Sequence, residues 1–310
     1  MSQKPDQTPP SPPLPLPLKI RYGFETAAAY LLYGIFKIMP AAAASAVGGF
    51  LGRSIGPHLG ISKKALENLT LAFPEKSEAE KREILRKMWD NLGRNLAEYP
   101  HLAAIGKRAE LEGQDIIRAI MESGKPAIVF SGHIANWEVG VSAAKQQMGF
   151  PSHVAYRKPN NPWVDGLLSR ARRAGAVGQV TKSRRGALKM TRLIKDGKVL
   201  TVLIDQKFNE GVAVPFFGYE AMTMPFPARL ALKYNCPLYP GRIERIAGAQ
   251  MKVTLYPAIE IEKTGDTEKD TLALLAEMHR HLEDWIRERP DQWLWLHRRW
   301  PDNASENLKK

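Results

Sequence analysis

Between Pro126 and Ile204 the hydrophobic pattern alternates between short apolar runs and helical stretches, and that alternation limits the fold more than any other feature. The apolar runs are Pro126–Ser131 (PAIVFS), His153–Tyr156 and Val199–Ile204 (VLTVLI); the first is entered through a Gly-Lys-Pro turn and the last follows Asp196-Gly197. Apolar runs of this length bounded by turn residues suit buried strands. Stretches near Glu138–Gln147, Trp163–Arg173 and Gly186–Lys195 read as helices between them. Two more strands are expected over Cys236–Ile243 and Met251–Ile261, around Ala247-Gly248-Ala249, then a helix over Thr267–Glu288 and a tryptophan-rich closing segment over Pro290–Trp300. Strands joined by helical crossovers can lie parallel. The expected class is therefore α/β, a mostly parallel sheet flanked by helices.

The N-terminal part follows other rules. Residues 1–18 hold seven prolines, which fix φ and donate no backbone hydrogen bond, so an extended, disordered tail is expected there. It lacks the apolar run after a basic start that marks a signal peptide. The run from Thr26 to Gly52 carries a single charge, Lys37. Its length suffices for a hydrocarbon core of roughly 30 Å, but Pro40 divides it into an aromatic-rich and an Ala/Gly-rich half. A kinked span, a re-entrant or interfacial hairpin and an ordinary buried helical pair all fit. The flanking Lys19, Arg21, Arg53, Lys63 and Lys64 do not choose an orientation. The favoured reading is a membrane-associated helical segment over 19–60, a main domain over 61–303 and a disordered end over 304–310. At the start of that domain, Ser77-Glu78-Ala79-Glu80 forms a capping box ahead of an apolar stripe of Ile84, Leu85, Met88, Trp89, Leu92 and Leu96, suited to the core or to a membrane-facing surface.

Charge narrows the partners. The 310 residues include 45 Lys+Arg against 32 Asp+Glu, a formal +13. The stretch from Arg157 to Lys198 holds twelve basic residues against Asp165 and Asp196, so it supplies +10 of that excess. Such concentration points to an anionic partner: nucleic acid, phosphates, an acidic protein or a membrane surface. With a lone cysteine, Cys236, the chain has no intrachain disulfide and no cysteine-cluster zinc site.

The segment Ser131-Gly132-His133-Ile134-Ala135-Asn136-Trp137-Glu138 lies between a strand and a helix, the junction where α/β folds bind ligands. Gly132 lets the backbone turn, and Asn136 suits the N-cap of the helix. On one continuous helix His133 and Glu138 would point about 140° apart. With His133 on the loop and Glu138 in the first turn they can meet. Glu138 then holds one imidazole nitrogen and leaves the other free to take a proton. The helix N-terminus adds backbone N–H groups for a phosphate or an oxyanion.

G-H-x-x-N-W-E after a buried strand resembles the His-x4-Asp/Glu motif of the glycerolipid acyltransferase superfamily. More closely, it resembles that of the bacterial lipid A late acyltransferases, the lauroyl/myristoyl family. Further matches follow in order: Tyr156-Arg157 leading to Asn161-Pro162, Arg172 in LLSRAR, Arg185-Gly186-Ala187-Leu188, Asp205-Gln206, Val214-Pro215-Phe216-Phe217-Gly218 and Thr223. The closing Pro290-Asp291-Gln292-Trp293-Leu294-Trp295-Leu296-His297-Arg298-Arg299-Trp300 is the most specific of them, and the resemblance runs from about residue 20 to 300. Lys158, between Arg157 and Pro159, departs from the family pattern.

The resemblance implies an O-acyltransferase at the cytoplasmic face of the bacterial inner membrane. It would move a fatty acyl chain from acyl carrier protein to a hydroxyl of a lipid A precursor, without cofactor or metal. His133 would be the general base, oriented by Glu138. Asn136, Arg157, Arg172, Arg185 and Asp205 would bind substrate, and the basic stretch would meet lipid A phosphates, anionic membrane lipids and the acidic carrier protein. Nucleic acid is not an expected partner, although a nucleic-acid-binding protein is a rival reading of the charge, as an acyltransferase for lysophospholipids or ornithine lipids is of the motif. His297 reads as structural, and Trp285, Trp293, Trp295 and Trp300 as core rather than an interfacial belt.

Overall fold

The computed structural model describes residues 15–301 and 304. Of the tail expected over 1–18, residues 1–14 lie outside these, and Leu16–Leu18 already belong to the first helix. Apart from Ala304, the expected end at 304–310 lies outside them too. In chain order the elements are α1 (Leu16–Ile38), α2 (Ala41–Ile55), α3 (Ser62–Ala72), α4 (Glu78–Glu98), α5 (Leu102–Arg108), β1 (Glu110–Glu112), α6 (Gln114–Ser123), β2 (Ala127–Ser131), α7 (Trp137–Met148) and β3 (Ser152–Tyr156). There follow α8 (Pro162–Arg172), β4 (Gly178–Thr181), α9 (Arg184–Lys195), β5 (Val199–Leu203), β6 (Val212–Phe216), β7 (Tyr219–Thr223), α10 (Phe226–Tyr234), β8 (Leu238–Ala247), β9 (Gln250–Leu255) and α11 (Thr267–Glu288).

Pro40 breaks the apolar N-terminal run into α1 and α2, because it cannot donate the hydrogen bond that would join them. α2 is pressed onto α4 along a seam of glycines: a Cβ at Gly52 would overlap the Trp89 carbonyl, and one at Gly93 the Gly48 carbonyl. α1 behaves differently, leaving Phe24, Leu31 and Ile38 exposed. Among the described residues no helix is long and apolar enough to cross a membrane. The capping box at Ser77 and Glu80 forms as its sequence predicts. The stripe behind it faces the core through Leu85, Met88 and Trp89, with Leu96 exposed.

Seven strands form the main sheet in the order β1-β9-β8-β2-β5-β3-β4. Only the β8–β9 pair is antiparallel. β6 and β7 form a separate hairpin, turning through Phe217 and Gly218, both at positive φ. Buried along its whole length, β2 occupies the centre. Its Phe130 ring meets His281 of α11, whereas Val129 and Ser131 point to the side of Gly140 on α7, so helices cover both faces. Trp285, Trp293, Trp295 and Trp300 are all buried, with Trp300 stacked on Phe216. They are core.

Register positions the functional residues. Ser131 at the end of β2 pairs with Leu203 at the end of β5, and the ladder continues through Ile204 N–H to the Ser131 carbonyl. Two residues beyond that matched pair stand His133 and Asp205. β3 and β4 finish at the same edge, with Tyr156 opposite Thr181. This delivers Arg157 and Lys182 to the same side.

Candidate active site

The turn carrying His133 is held open by three segments distant in sequence. A Cβ at Gly132 would stand 3.3 Å from Asp205 Oδ2, so glycine leaves room for that carboxylate. Ala135 adopts φ of +48°, a conformation costly for any residue but glycine. Its carbonyl accepts from Asn91 and Asn95 of α4, and its N–H donates to the Gln292 carbonyl at 2.8 Å. Leu294 N–H in turn donates to the His133 carbonyl. The tryptophan-rich closing segment is thus the backbone partner of the His133 turn, and it stabilises a strained conformation.

His133 Nδ1 lies 2.7 Å from Asp205 Oδ1. The other carboxylate oxygen accepts from the His133 backbone N–H at 2.7 Å and from the Trp293 indole at 2.8 Å. Burial alone would push the Asp205 carboxyl upward, but His133 and the converging N–H donors hold it far below the usual carboxylate range. Asp205 is therefore an anion at neutral pH, and it keeps the His133 proton on Nδ1 and the Nε2 lone pair available.

Glu138 does not orient His133, contrary to the reading from the five-residue spacing. Its Oε1 accepts from Arg172 Nε at 2.7 Å and from the Tyr99 hydroxyl at 2.9 Å. The reason is register: the neighbouring strand end brings Asp205 to the imidazole. Glu138, in the first turn of α7, pairs instead with groups from the end of α4 and from α8. Burial pushes the Tyr99 hydroxyl well up, and the Glu138 charge adds to this. Burial opposes the Arg172 charge, but Glu138 and Tyr99 more than restore it. The Arg172 guanidinium also lies over the Tyr156 ring.

Beside His133 opens a cavity of about 350 Å³. Glu138, Arg157, Lys158, Arg172, Lys182, Gln206 and His297 share its walls. Of the five sequence-predicted binding residues, Arg157 and Arg172 line the cavity, and Asp205 stands behind the imidazole rather than in the cavity wall. The other two expected residues are not in the cavity wall. Asn136 occupies the N-cap position of α7 without a capping bond; buried, it donates to Glu98 Oε2. Arg185 is exposed on the first turn of α9, away from the cavity walls. Sequence reasoning missed Tyr99, Lys182 and Gln206 as site residues and read His297 as structural. Packing around Lys182 lowers its ammonium pKa against the pull of Asp205, and its Nζ donates to the Leu203 carbonyl at 2.9 Å.

A second, almost wholly apolar pocket of about 60 Å³ adjoins the first, sharing Trp137, Val141, Thr201 and Leu203 with it. It runs under α7 toward Phe150, Ile243 and Leu255. Gly140 lines it, where an added Cβ would stand 2.9 Å from Ile243 Cγ1. The imidazole thus faces a cationic chamber, and a greasy slot adjoins that chamber across Trp137, whose ring lies 4.9 Å from the imidazole. The combination suits attack by a hydroxyl of an anionic molecule on an acyl group with a hydrocarbon tail.

Comparison with known proteins agrees with this chemistry. The family described as bacterial lipid A biosynthesis acyltransferase matches residues 18–302. The lipid A biosynthesis lauroyltransferase of Escherichia coli (strain K12) is 28% identical over 244 residues, covering 75% of this chain and 76% of the relative. The myristoyltransferase of the same organism is 25% identical over 264 residues, with 79% and 77% covered. Its palmitoleoyltransferase is 24% identical over 268 residues, with 81% and 83% covered.

Proposed function

The chain belongs to the bacterial lipid A biosynthesis acyltransferase family, and from that premise we propose that it moves a fatty acyl chain from a carrier-protein thioester to a hydroxyl of a lipid A precursor, with His133 as general base. The observation that carries this reading is the Asp205–His133 pair, whose imidazole lines the cationic cavity 4.9 Å from the ring of Trp137, a wall shared with the apolar pocket. The acceptor hydroxyl gives its proton to His133 Nε2 as its oxygen attacks the thioester carbonyl. The C–S bond then breaks, and the imidazolium returns the proton to the thiolate. An aligned base contributes about 10²–10⁴-fold, and positioning supplies much of the rest.

Arg157, Lys158 and Lys182 supply positive charge for the acceptor's phosphates, and the Arg172 guanidinium adds to it from its place on Glu138. The apolar pocket takes part of the acyl tail. Exposed Phe24, Leu31, Ile38, Phe50 and Ile55 on α1 and α2 support attachment to the cytoplasmic face of the inner membrane, with Lys19, Arg21 and Lys37 among anionic headgroups.

The test is acyl transfer by the full chain in detergent, using carrier protein loaded with C12, C14 or C16 acyl groups and an underacylated lipid A precursor. Wild type transfers and His133→Ala does not. Transfer to lysophospholipid with none to the lipid A precursor would move the acceptor to another membrane lipid. In the same assay Gly140→Ala, which places a methyl in the pocket, favours the shorter of two chains by about 0.8 kcal/mol per displaced methylene, a factor of about four. An unchanged chain profile would place the tail elsewhere.

A further inference from the structure

Gln206 and His297 have no task in the reaction above, yet both reach the base. The Gln206 side-chain nitrogen lies 2.9 Å from His297 Nε2 and 3.4 Å from His133 Nε2. The two imidazole rings are 5.9 Å apart between centroids. Asp205 fixes the direction of these bonds. With the His133 proton on Nδ1 facing Asp205, Nε2 offers only a lone pair, so the group opposite must donate. The Gln206 amide therefore turns its NH2 toward the rings, and its other N–H requires a lone pair on His297 Nε2 as well.

We propose that Gln206, anchored by His297, is a positioning residue for the base: its amide donates to the His133 Nε2 lone pair in the resting site and lowers the basicity that Asp205 raises. A hydrogen bond donated to the neutral ring disfavours the imidazolium, whereas a carboxylate behind the ring favours it. The opposed partners hold the ring in the reactive tautomer until the acceptor hydroxyl displaces the longer, 3.4 Å contact. The charged groups facing the two rings are Asp205, Arg157, Lys158, Lys182 and the Arg172–Glu138 pair. His297 is exposed and lines the cavity, but packing about its ring, then His133, push it below the ordinary imidazole range. Arg157 and Lys182 act in the same direction, and Asp205 opposes them. His297 therefore keeps its acceptor lone pair to lower pH than an ordinary imidazole, which favours this orientation of the amide.

The role in transfer rests on the function proposed above, so the test also reads the ring directly. Full-length protein in detergent, with ¹⁵N-labelled histidine rings, is titrated by NMR; His133→Gln and His297→Gln assign the signals. His133 is expected in the Nδ1–H tautomer. Gln206→Glu sets a carboxylate against Nε2 and raises the His133 pKa by at least about one unit, whereas Gln206→Leu, which removes the donor, raises it by several tenths. His153 does not move in either variant. The acid limb of kcat/KM for acyl transfer shifts upward with the ring, and His297→Asn, which retains an acceptor, preserves it better than His297→Phe. A His133 ring in the Nε2–H tautomer, or a pKa unmoved by Gln206→Glu, would overturn the proposal. The expected NMR shifts without transfer to any lipid would uphold it and refute the assigned reaction.

Discussion

Asp205→Asn lowers acyl transfer by about 10³- to 10⁴-fold, with the fold retained. Three N–H donors converge on the native carboxylate: the His133 ring, the His133 backbone and the Trp293 indole. Asparagine has one acceptor oxygen. Turned toward the backbone and indole donors, it presents its NH2 to His133 Nδ1, which must then carry a lone pair. The proton moves to Nε2, and the base is lost without any atom being displaced. The measurement is kcat for the variant, with circular dichroism to show that the sheet is intact. Activity within tenfold of wild type would return the orienting role to another carboxylate.

The second large effect falls on stability. Glu138→Ala leaves the Arg172 guanidinium, 14% exposed, without its carboxylate. Removing one member of a buried ion pair costs about 3–5 kcal/mol, because the remaining charge is desolvated and unpaired. Glu138→Ala therefore lowers the urea midpoint markedly, and the Glu138→Ala/Arg172→Ala double variant recovers much of the loss. Urea denaturation of the two single variants and the double completes the cycle. Simple additivity would show that the two side chains do not stabilise each other. Because the single variant also perturbs Arg172 and Tyr99 beside the cavity, its activity loss is not evidence that Glu138 touches the imidazole.

The strand–helix alternation made the class and the central elements legible, since each rests on local periodicity. What local pattern could not reach was which strands are neighbours. The five-residue separation of His133 and Glu138 is visible along the chain, whereas Asp205 is 72 residues from His133. Only the pairing of β2 with β5 makes them adjacent. Asp205 and Gln206 stood out as a strand-end motif, and equal offsets from the ends of neighbouring strands were the available signal. Lys182 counted only as part of a charge run, and His297 lay within a motif explained by its tryptophans. Tyr99 carried no signal at all. The hairpin over β6 and β7 escaped because Pro215 interrupts its pattern, and β1 and β4 because they have three and four residues. The glycine seam between α2 and α4 looked like a generic small-residue run until the helices were seen to touch.

One asparagine links the outside of the molecule to its chemistry. Asn161 caps α8 through the Trp163 N–H, at the end of the loop that carries Arg157 and Lys158 past the cavity. Its amide also donates to the Tyr22 carbonyl, Glu25 and Thr26 on α1. The apolar helix at the perimeter and the loop at the cationic lip of the chamber are therefore tied to each other through one side chain. On the membrane attachment and phosphate binding proposed above, a tilt of α1 would be felt at Arg157 and Lys158, and membrane contact would be coupled to substrate affinity.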